Sequence, residues 1–372
     1  MSTKRFFSNR LRSRNIALYC AASGLWLLLF FTVLELAGFL YFRLPFSKPI
    51  GGYGYPRELF IARRDLDFAF KPGFDGHFIG GPYKKIPIRI NSDGFRDRNF
   101  PPKSPLKSRI LVLGDSVVFG SGVHQEDRFT EVLSELKKRE GKAVEILNLG
   151  VNSYSYWHYV KLLESEQIKK LQADFLLIAF TLNDIQPRES AWPKRMLEMQ
   201  SKQHAVKRWQ EKFQFWLDDL YSVHLFKQLR DRLVMYMMTH DEREHYHTKW
   251  MRKQRSNWEN GVIYQELKTN VKRSLELAND WSIPLAMIIL PELNEVKQPQ
   301  SFGWAREKIY LILEELNIRY CGLSEIFAKK QDLESYFLIE DSLHFSPQGH
   351  QLAAQILFDC LKQASWKKAG WP

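Results

Sequence analysis

Two short clusters, far apart in the chain, hold the side chains that nucleophilic catalysis needs. The first is Leu113-Gly114-Asp115-Ser116 and the second Asp341-Ser342-Leu343-His344. A serine hydroxyl attacks a carbonyl only when a base takes its proton. An imidazole suits that task because its pKa lies near neutrality. A carboxylate three residues before the histidine, across a short turn, can accept the other ring N–H, fix the tautomer and stabilise the imidazolium. Ser116, His344 and Asp341 are therefore the candidate nucleophile, base and orienting acid. Each also has a plain structural reading: Ser116 as a helix cap, Asp341 and Ser346 as turn and cap residues, His344 as a surface side chain. Two further positions can donate N–H groups to a developing oxyanion. Gly150 follows the apolar run 144–149, and no Cβ blocks its backbone N–H. Asn183, in Phe180-Thr181-Leu182-Asn183-Asp184, offers a side-chain amide. As purely structural residues they would be a turn glycine and a capping asparagine. No Gly-x-Ser-x-Gly surrounds Ser116, which argues against the common lipase type of α/β-hydrolase.

The elements that must position these residues are legible as alternation. RILVLG, VEILNLG, DFLLIAFT and PLAMIILP are continuous apolar runs bounded by turn residues, the pattern of strands buried on both faces of a parallel sheet. Between the first two, Phe129, Val132, Leu133 and Leu136 make one helical stripe. Helices are also expected over 156–170, 264–280, 305–316 and 348–362. Strand–helix alternation implies an α/β fold with functional loops at the carboxyl ends of the strands. Residues 43–105 are rich in Gly, Pro and aromatics and are expected to form short strands and turns. A charged, aromatic and largely helical insertion, about 187–260, interrupts the rhythm. It is expected to pack on the domain, the sharper alternatives being a lid or a surface that leans on a membrane or a partner. Its Trp192, Trp209 and Trp258 suit aromatic packing better than a carbohydrate platform. Its His240, His245 and His247 lack the assured convergence that a metal site requires.

Residues 16–42 are almost wholly apolar, with Glu35 the one charge. As a helix they would reach about 40 Å, more than the roughly 30 Å hydrocarbon core of a bilayer. Lys4, Arg5, Arg10, Arg12 and Arg14 precede this run without an acidic residue, so the positive-inside bias puts 1–15 in the cytoplasm and everything after Phe42 outside it. Glu35 would then be a snorkelling anchor near the outer interface. The formal charge of +12 is partly this local excess, and the rest is interleaved with acids in no nucleic-acid motif. A nucleic-acid partner is not expected. Cys20 lies in the span, whereas Cys321 and Cys360 read equally as a pair or as two buried thiols.

Taken together, Gly114 to Ser116, Gly150, Asn183-Asp184 and Asp341 with His344 resemble, in order, the four blocks of the SGNH hydrolase family, also called GDSL esterases. The resemblance covers roughly Arg109 to the C-terminus without the insertion. It implies a flavodoxin-like three-layer α/β/α sandwich over 106–372. It also implies acyl transfer through Ser116, with the N–H groups of Ser116 and Gly150 and the amide of Asn183 as oxyanion hole and no metal or dissociable cofactor. Water as acceptor gives an esterase and a sugar hydroxyl an O-acyltransferase. Topology and family habit together suggest acylated, in the first place acetylated, envelope glycans or lipids as substrates. The reading from another class is a tethered scaffold that binds a glycan or partner without catalysis. Two positions depart from the family pattern. Val117 stands where leucine is usual, and Thr181 where glycine is usual two residues before the asparagine. Ile88 to Asp97, IRINSDGFRD, resembles the leader of many envelope members and is expected to be structural.

Overall fold

A computed structural model describes residues 2–41, 43, 54–79, 83, 85–187, 193–194, 197, 220–237, 249–339 and 341–372. Two compact units are distinct: Met1–Ile50 with Ala205–Arg243, and Gly51–His204 with Glu244–Pro372. The histidines at 240, 245 and 247 and the tryptophans at 192 and 209 lie outside the described residues.

In the larger unit the leader forms two antiparallel pairs, β1 (Phe60–Arg63) with β2 (Asp67–Phe70) and β3 (Asp75–His77) with β4 (Pro87–Arg89). Five parallel strands follow: β5 (Ser108–Gly114), β6 (Val144–Gly150), β7 (Phe175–Phe180), β8 (Leu285–Ile289) and β9 (Arg319–Gly322). The sequence runs gave the first four. β9 is only four residues long, reads Arg-Tyr-Cys-Gly, and has no continuous apolar run to announce it.

The spatial order is β6-β5-β7-β8-β9, the flavodoxin-like arrangement of an open doubly wound sheet. Alternate residues of each strand face opposite layers. Leu111 and Leu113 join one core with Tyr156, Val271 and Ile309, while Ile110 and Val112 join the other with Phe129, Leu133 and Leu357. Helices therefore cover both faces: α2 (Ser116–Phe119) and α3 (Phe129–Arg139), then α4 (Tyr156–Leu163). This is the expected three-layer α/β/α sandwich. Burying each such aliphatic side chain contributes roughly 1.5–3 kcal/mol, so the continuous runs specify a sheet covered on both sides.

In the smaller unit α1 (Ser2–Tyr41) packs against α5 (Tyr221–Met237). Residues Leu18–Tyr41 of α1 are long and apolar enough to cross a membrane, with mean hydropathy 1.9. The insertion is thus divided. Of its described helices, α5 falls in the unit of α1, whereas α6 (Lys249–Glu259) belongs to the larger unit. The larger unit is completed by α7 (Gly261–Asp280), α8 (Pro299–Glu315) and α9 (Pro347–Lys362). Cys321 of β9 and Cys360 of α9 form a disulfide, which decides the open reading of these cysteines.

Candidate active site

The chain runs outward from β5 to β6 on one side and then from β7 to β9 on the other. The reversal lies between β5 and β7, and at such a switch point the loops part to leave a crevice at the carboxyl ends. Ser116 follows β5 and Asn183 follows β7, so both flank it.

Ser116 is the first residue of α2. Asp115 caps that helix by accepting the Val117 N–H at 2.9 Å. As an N1 residue, Ser116 has a backbone N–H with no intrahelical acceptor. One turn later Gly120 adopts a left-handed φ of 79° and ends the helix. The turn is held from the leader. The buried Arg96 guanidinium donates to the carbonyls of Gly120 (2.6 Å), Val123 (2.9 Å) and Pro87 (2.8 Å). Burial and the neighbouring Arg128 charge lower the Arg96 pKa to about 9. The IRINSDGFRD segment thus braces the Ser116 turn through the Arg96 side chain.

His344 arrives on the loop before α9. Its Nε2 lies 2.7 Å from Ser116 Oγ and its Nδ1 2.7 Å from Asp341 Oδ2. The other oxygen of Asp341 accepts the N–H groups of Leu343 (2.8 Å) and His344 (3.0 Å), so one carboxylate both shapes the turn and orients the ring. Phe345, fully buried among Phe327, Phe337 and His350, anchors the next residue. Ser346 caps α9 by accepting the Gly349 N–H. Burial disfavours the imidazolium, but the Asp341 charge and hydrogen bond outweigh it and hold the His344 pKa above its usual value. Burial likewise raises Asp341, yet His344 and the two backbone N–H groups prevail and bring it down to about 2. With Nδ1–H directed to Asp341, Nε2 presents its lone pair to the serine hydroxyl. Asp115 Oδ2 also lies 3.3 Å from Ser116 Oγ, a longer contact than that of the histidine.

The oxyanion side departs from the sequence expectation at Gly150. Its N–H donates to Asn148 Oδ1 at 3.0 Å, and is therefore already engaged. A Cβ there would sit 2.6 Å from the Val118 carbonyl carbon, so close packing of β6 on α2 accounts for the glycine. Three residues on, Ser153 holds a left-handed φ of 63°, costly for a residue with a side chain. Its N–H has no hydrogen-bond partner among the described residues. A backbone N–H in this conformation leaves no signature in residue type, so sequence reasoning did not single out Ser153.

Asn183 sits in the short turn Leu182–Ile185, which Thr181 and Asp184 close as a capping box. Thr181 is fully buried. Its hydroxyl donates to Asn183 Oδ1 and lies 3.2 Å from Asp115 Oδ2. Thr181 therefore ties the amide by its oxygen, which turns the NH₂ away from that hydroxyl. The β-branched residue that departs from the family pattern orients the asparagine.

Sequence reasoning also passed over Glu292. It follows the end of β8, is 6% exposed, lies beside the Asn183 backbone N–H, and meets Gln254 Nε2 at 3.3 Å. Burial, with the charges of Glu295, Asp115 and Asp341, pushes its pKa up to about 8. Its position at a strand's carboxyl end was the available signal. Trp258 is 1% exposed and donates to the Leu182 carbonyl, so it braces the Asn183 turn from behind and is no carbohydrate platform.

No family model and no curated protein matches the chain. Among solved structures, TesA is 10% identical over 68% of this chain and 98% of its own, with a TM-score of 0.42. The acetyl xylan esterase AlAXEase is 11% identical over 68% and 99%, with a TM-score of 0.42. A lipolytic protein of the G-D-S-L family from Desulfitobacterium hafniense DCB-2 is 13% identical over 68% and 98%, with a TM-score of 0.40. At such identities and scores, these likenesses carry no role for Ser116, Asp341, His344 or Asn183.

Proposed function

We propose that this chain is a membrane-anchored serine ester hydrolase of the SGNH type. The observation that carries the reading is the unbroken line Asp341 Oδ2–His344 Nδ1 and His344 Nε2–Ser116 Oγ, each step 2.7 Å. Ser116 Oγ attacks an ester carbonyl as His344 Nε2 takes its proton, and Asp341 stabilises the resulting imidazolium. The oxyanion is held by the Ser116 N–H and the Asn183 amide, with the Ser153 N–H assigned the place first expected of Gly150. Collapse breaks the C–O bond, and His344 returns the proton to the leaving alcohol. Water then adds to the acyl-Ser116 with His344 again as base, releasing the carboxylic acid.

The acceptor is proposed to be water, because no acceptor groove needs to be invoked. The substrate is proposed to be an O-acyl, most simply O-acetyl, group on an envelope glycan or lipid. An extracytoplasmic domain is supported by the five cations ahead of the span and by the Cys321–Cys360 disulfide, a bond that persists in oxidising compartments. The larger unit as a whole is proposed to be the catalytic domain. The test is turnover of a small activated acetate ester by the full chain in lipid nanodiscs, with a phosphonate probe to mark the nucleophile. Burst release and a mass increment on Ser116, both absent from Ser116→Ala, are expected. Turnover unchanged in both Ser116→Ala and His344→Ala would reject the reading. Acetylated sugar formed in place of free acetate would instead assign transfer.

A further inference from the structure

The smaller unit carries an apolar surface that ester chemistry does not explain. α5 begins against the C-terminal end of α1. Glu35 accepts the N–H groups of Tyr221 (2.9 Å) and Ser222 (3.0 Å), together with the Ser222 hydroxyl. These N–H groups are the ones a helix leaves unpaired at its start, and a carboxylate there also meets the positive end of the helix dipole. Glu35 is thus the cap of α5 rather than the snorkelling anchor expected from sequence. Gly38 allows the approach, since a Cβ there would lie 2.8 Å from the Tyr221 carbonyl carbon. Phe39 packs edge-on against Tyr221 with ring centroids 5.4 Å apart.

The contact is confined to that end of α1. Leu27, Leu28 and Phe31, one to two turns earlier, remain more than half exposed, so α5 does not run down the span. Leu18–Tyr41 rises about 36 Å, and Glu35 lies roughly 9 Å short of Tyr41. A hydrocarbon core of about 30 Å therefore puts the start of α5 near the boundary between acyl chains and headgroups. From there α5 exposes Phe226 (69%), Leu229, Leu233, Tyr236 and Met237. Their spacing gathers them on one arc of roughly 100°, with the exposed Arg230 at its edge. Five large apolar side chains in water on one helix face would be a liability; continuous with the apolar belt of α1, they form one surface of the same chemistry.

We propose that α5 is an interfacial helix lying in the bilayer boundary at the C-terminal end of the span, with its Phe226–Met237 face among the acyl chains. The occupant of the face is phospholipid. The proposal rests on the α1 span and is independent of the ester-hydrolase reading. Arg230 at the edge of the face is suited to the phosphate layer.

The full chain, with Cys20→Ser, is reconstituted into phosphatidylcholine vesicles with or without phosphatidylglycerol. An environment-sensitive fluorophore is placed at Leu233→Cys and, half a turn away by the helical repeat, at Asp231→Cys. Blue-shifted emission at 233, quenched by brominated phospholipid, with water-like unquenched emission at 231, is expected. Unquenched emission at 233 would overturn the proposal. If that emission were also blue-shifted, it would assign the face to protein, whether a partner or a second copy. Because labelling replaces a side chain, the unsubstituted chain is also irradiated in vesicles containing a diazirine phospholipid. Adducts are expected in the peptide covering 225–237, and adducts confined to α1 would likewise overturn it. Neither readout requires turnover, so an inactive chain that passes both tests leaves this inference standing.

Discussion

The proton-transfer line and the proposed oxyanion corner differ in how they are built. The line is made of side chains. Asp341, His344 and Ser116 come from the two ends of the α/β unit and meet in contacts of 2.7 Å. Only a few residue types can perform those steps, so the chemistry restricts the sequence directly. The corner is made largely of backbone. In the proposed reading the Ser116 and Ser153 N–H groups donate whatever side chain follows, and what restricts the sequence is conformation: an N1 position at 116, a left-handed φ at 153. A glycine at the end of β6 looked like the donor because glycine permits close approach. The close approach exists, but it is to Val118 and not to substrate.

The largest test of this contrast falls on the line. Asp341→Asn keeps the shape yet removes the charge that fixes the histidine tautomer, and a loss of about 10⁴-fold in kcat is expected. The pH profile separates that effect from a general disturbance. His344 must be neutral to accept the proton, and its pKa stands above the ordinary histidine value. The wild-type rate is therefore expected to fall as pH drops through a value above 6.5. In Asp341→Asn burial is opposed only by the more weakly acting Asp115 charge, and the limb should move to lower pH. A limb that stays in place in a folded variant would break the assignment of Asp341.

At the corner the expected effects are smaller. Asn183→Ala removes one oxyanion donor and should cost about 10²- to 10³-fold in kcat with little change in KM. Thr181→Val removes a hydrogen bond that only aims the amide, a loss of about 1 kcal/mol or roughly five- to tenfold. Equal losses in the two variants would mean that Asn183, like Thr181, acts at one remove from the substrate.

Gly150 and Ser153 sharpen the comparison within one loop. Gly150→Ala forces a methyl group against α2 and should destabilise the fold by about 1–3 kcal/mol, read as a lower denaturant midpoint. Ser153→Gly keeps the N–H and relieves the left-handed strain, so stability and rate should both stay near wild type. Stability unchanged in Gly150→Ala, with a rate loss of the size expected for a missing oxyanion donor, would return the role to Gly150.

The fold was legible because its strands are buried on both faces and so appear as unbroken apolar runs. Order along the chain then left few topologies. β9 was missed because four residues ending in Cys-Gly carry no such run, and parallel pairing to β8 supplies what its own sequence does not. The divided insertion was missed because an apolar stripe does not name its partner: the face of α5 reads alike as a core face or as a lipid face until Glu35 is seen to cap it. Glu292 was missed because glutamate near a strand end is ordinary. Its meaning comes from burial beneath the Asn183 turn, which is a property of the folded chain.

Glu292 supplies a further small effect, confined to alkaline pH. Below its pKa of about 8 the side chain is neutral, and above it a carboxylate appears beside the Asn183 backbone. The groups facing it are Glu295 on the following turn, Asp115 behind the nucleophile, Asp341 of the histidine loop and the neutral Gln254 of α6. The three charged neighbours are all acids. A further negative charge there works against the oxyanion that Asn183 is to stabilise, so kcat should decline as pH rises through about 8. The decline is expected to be modest, about 1 kcal/mol or roughly fivefold, since the charge is felt through the protein and not in contact. Glu292→Gln keeps the size and polarity of the side chain but cannot ionise. Its rate at neutral pH should match wild type while the alkaline limb flattens. An alkaline limb that persists unchanged in Glu292→Gln would place the titrating group elsewhere and leave Glu292 as a structural brace for the turn.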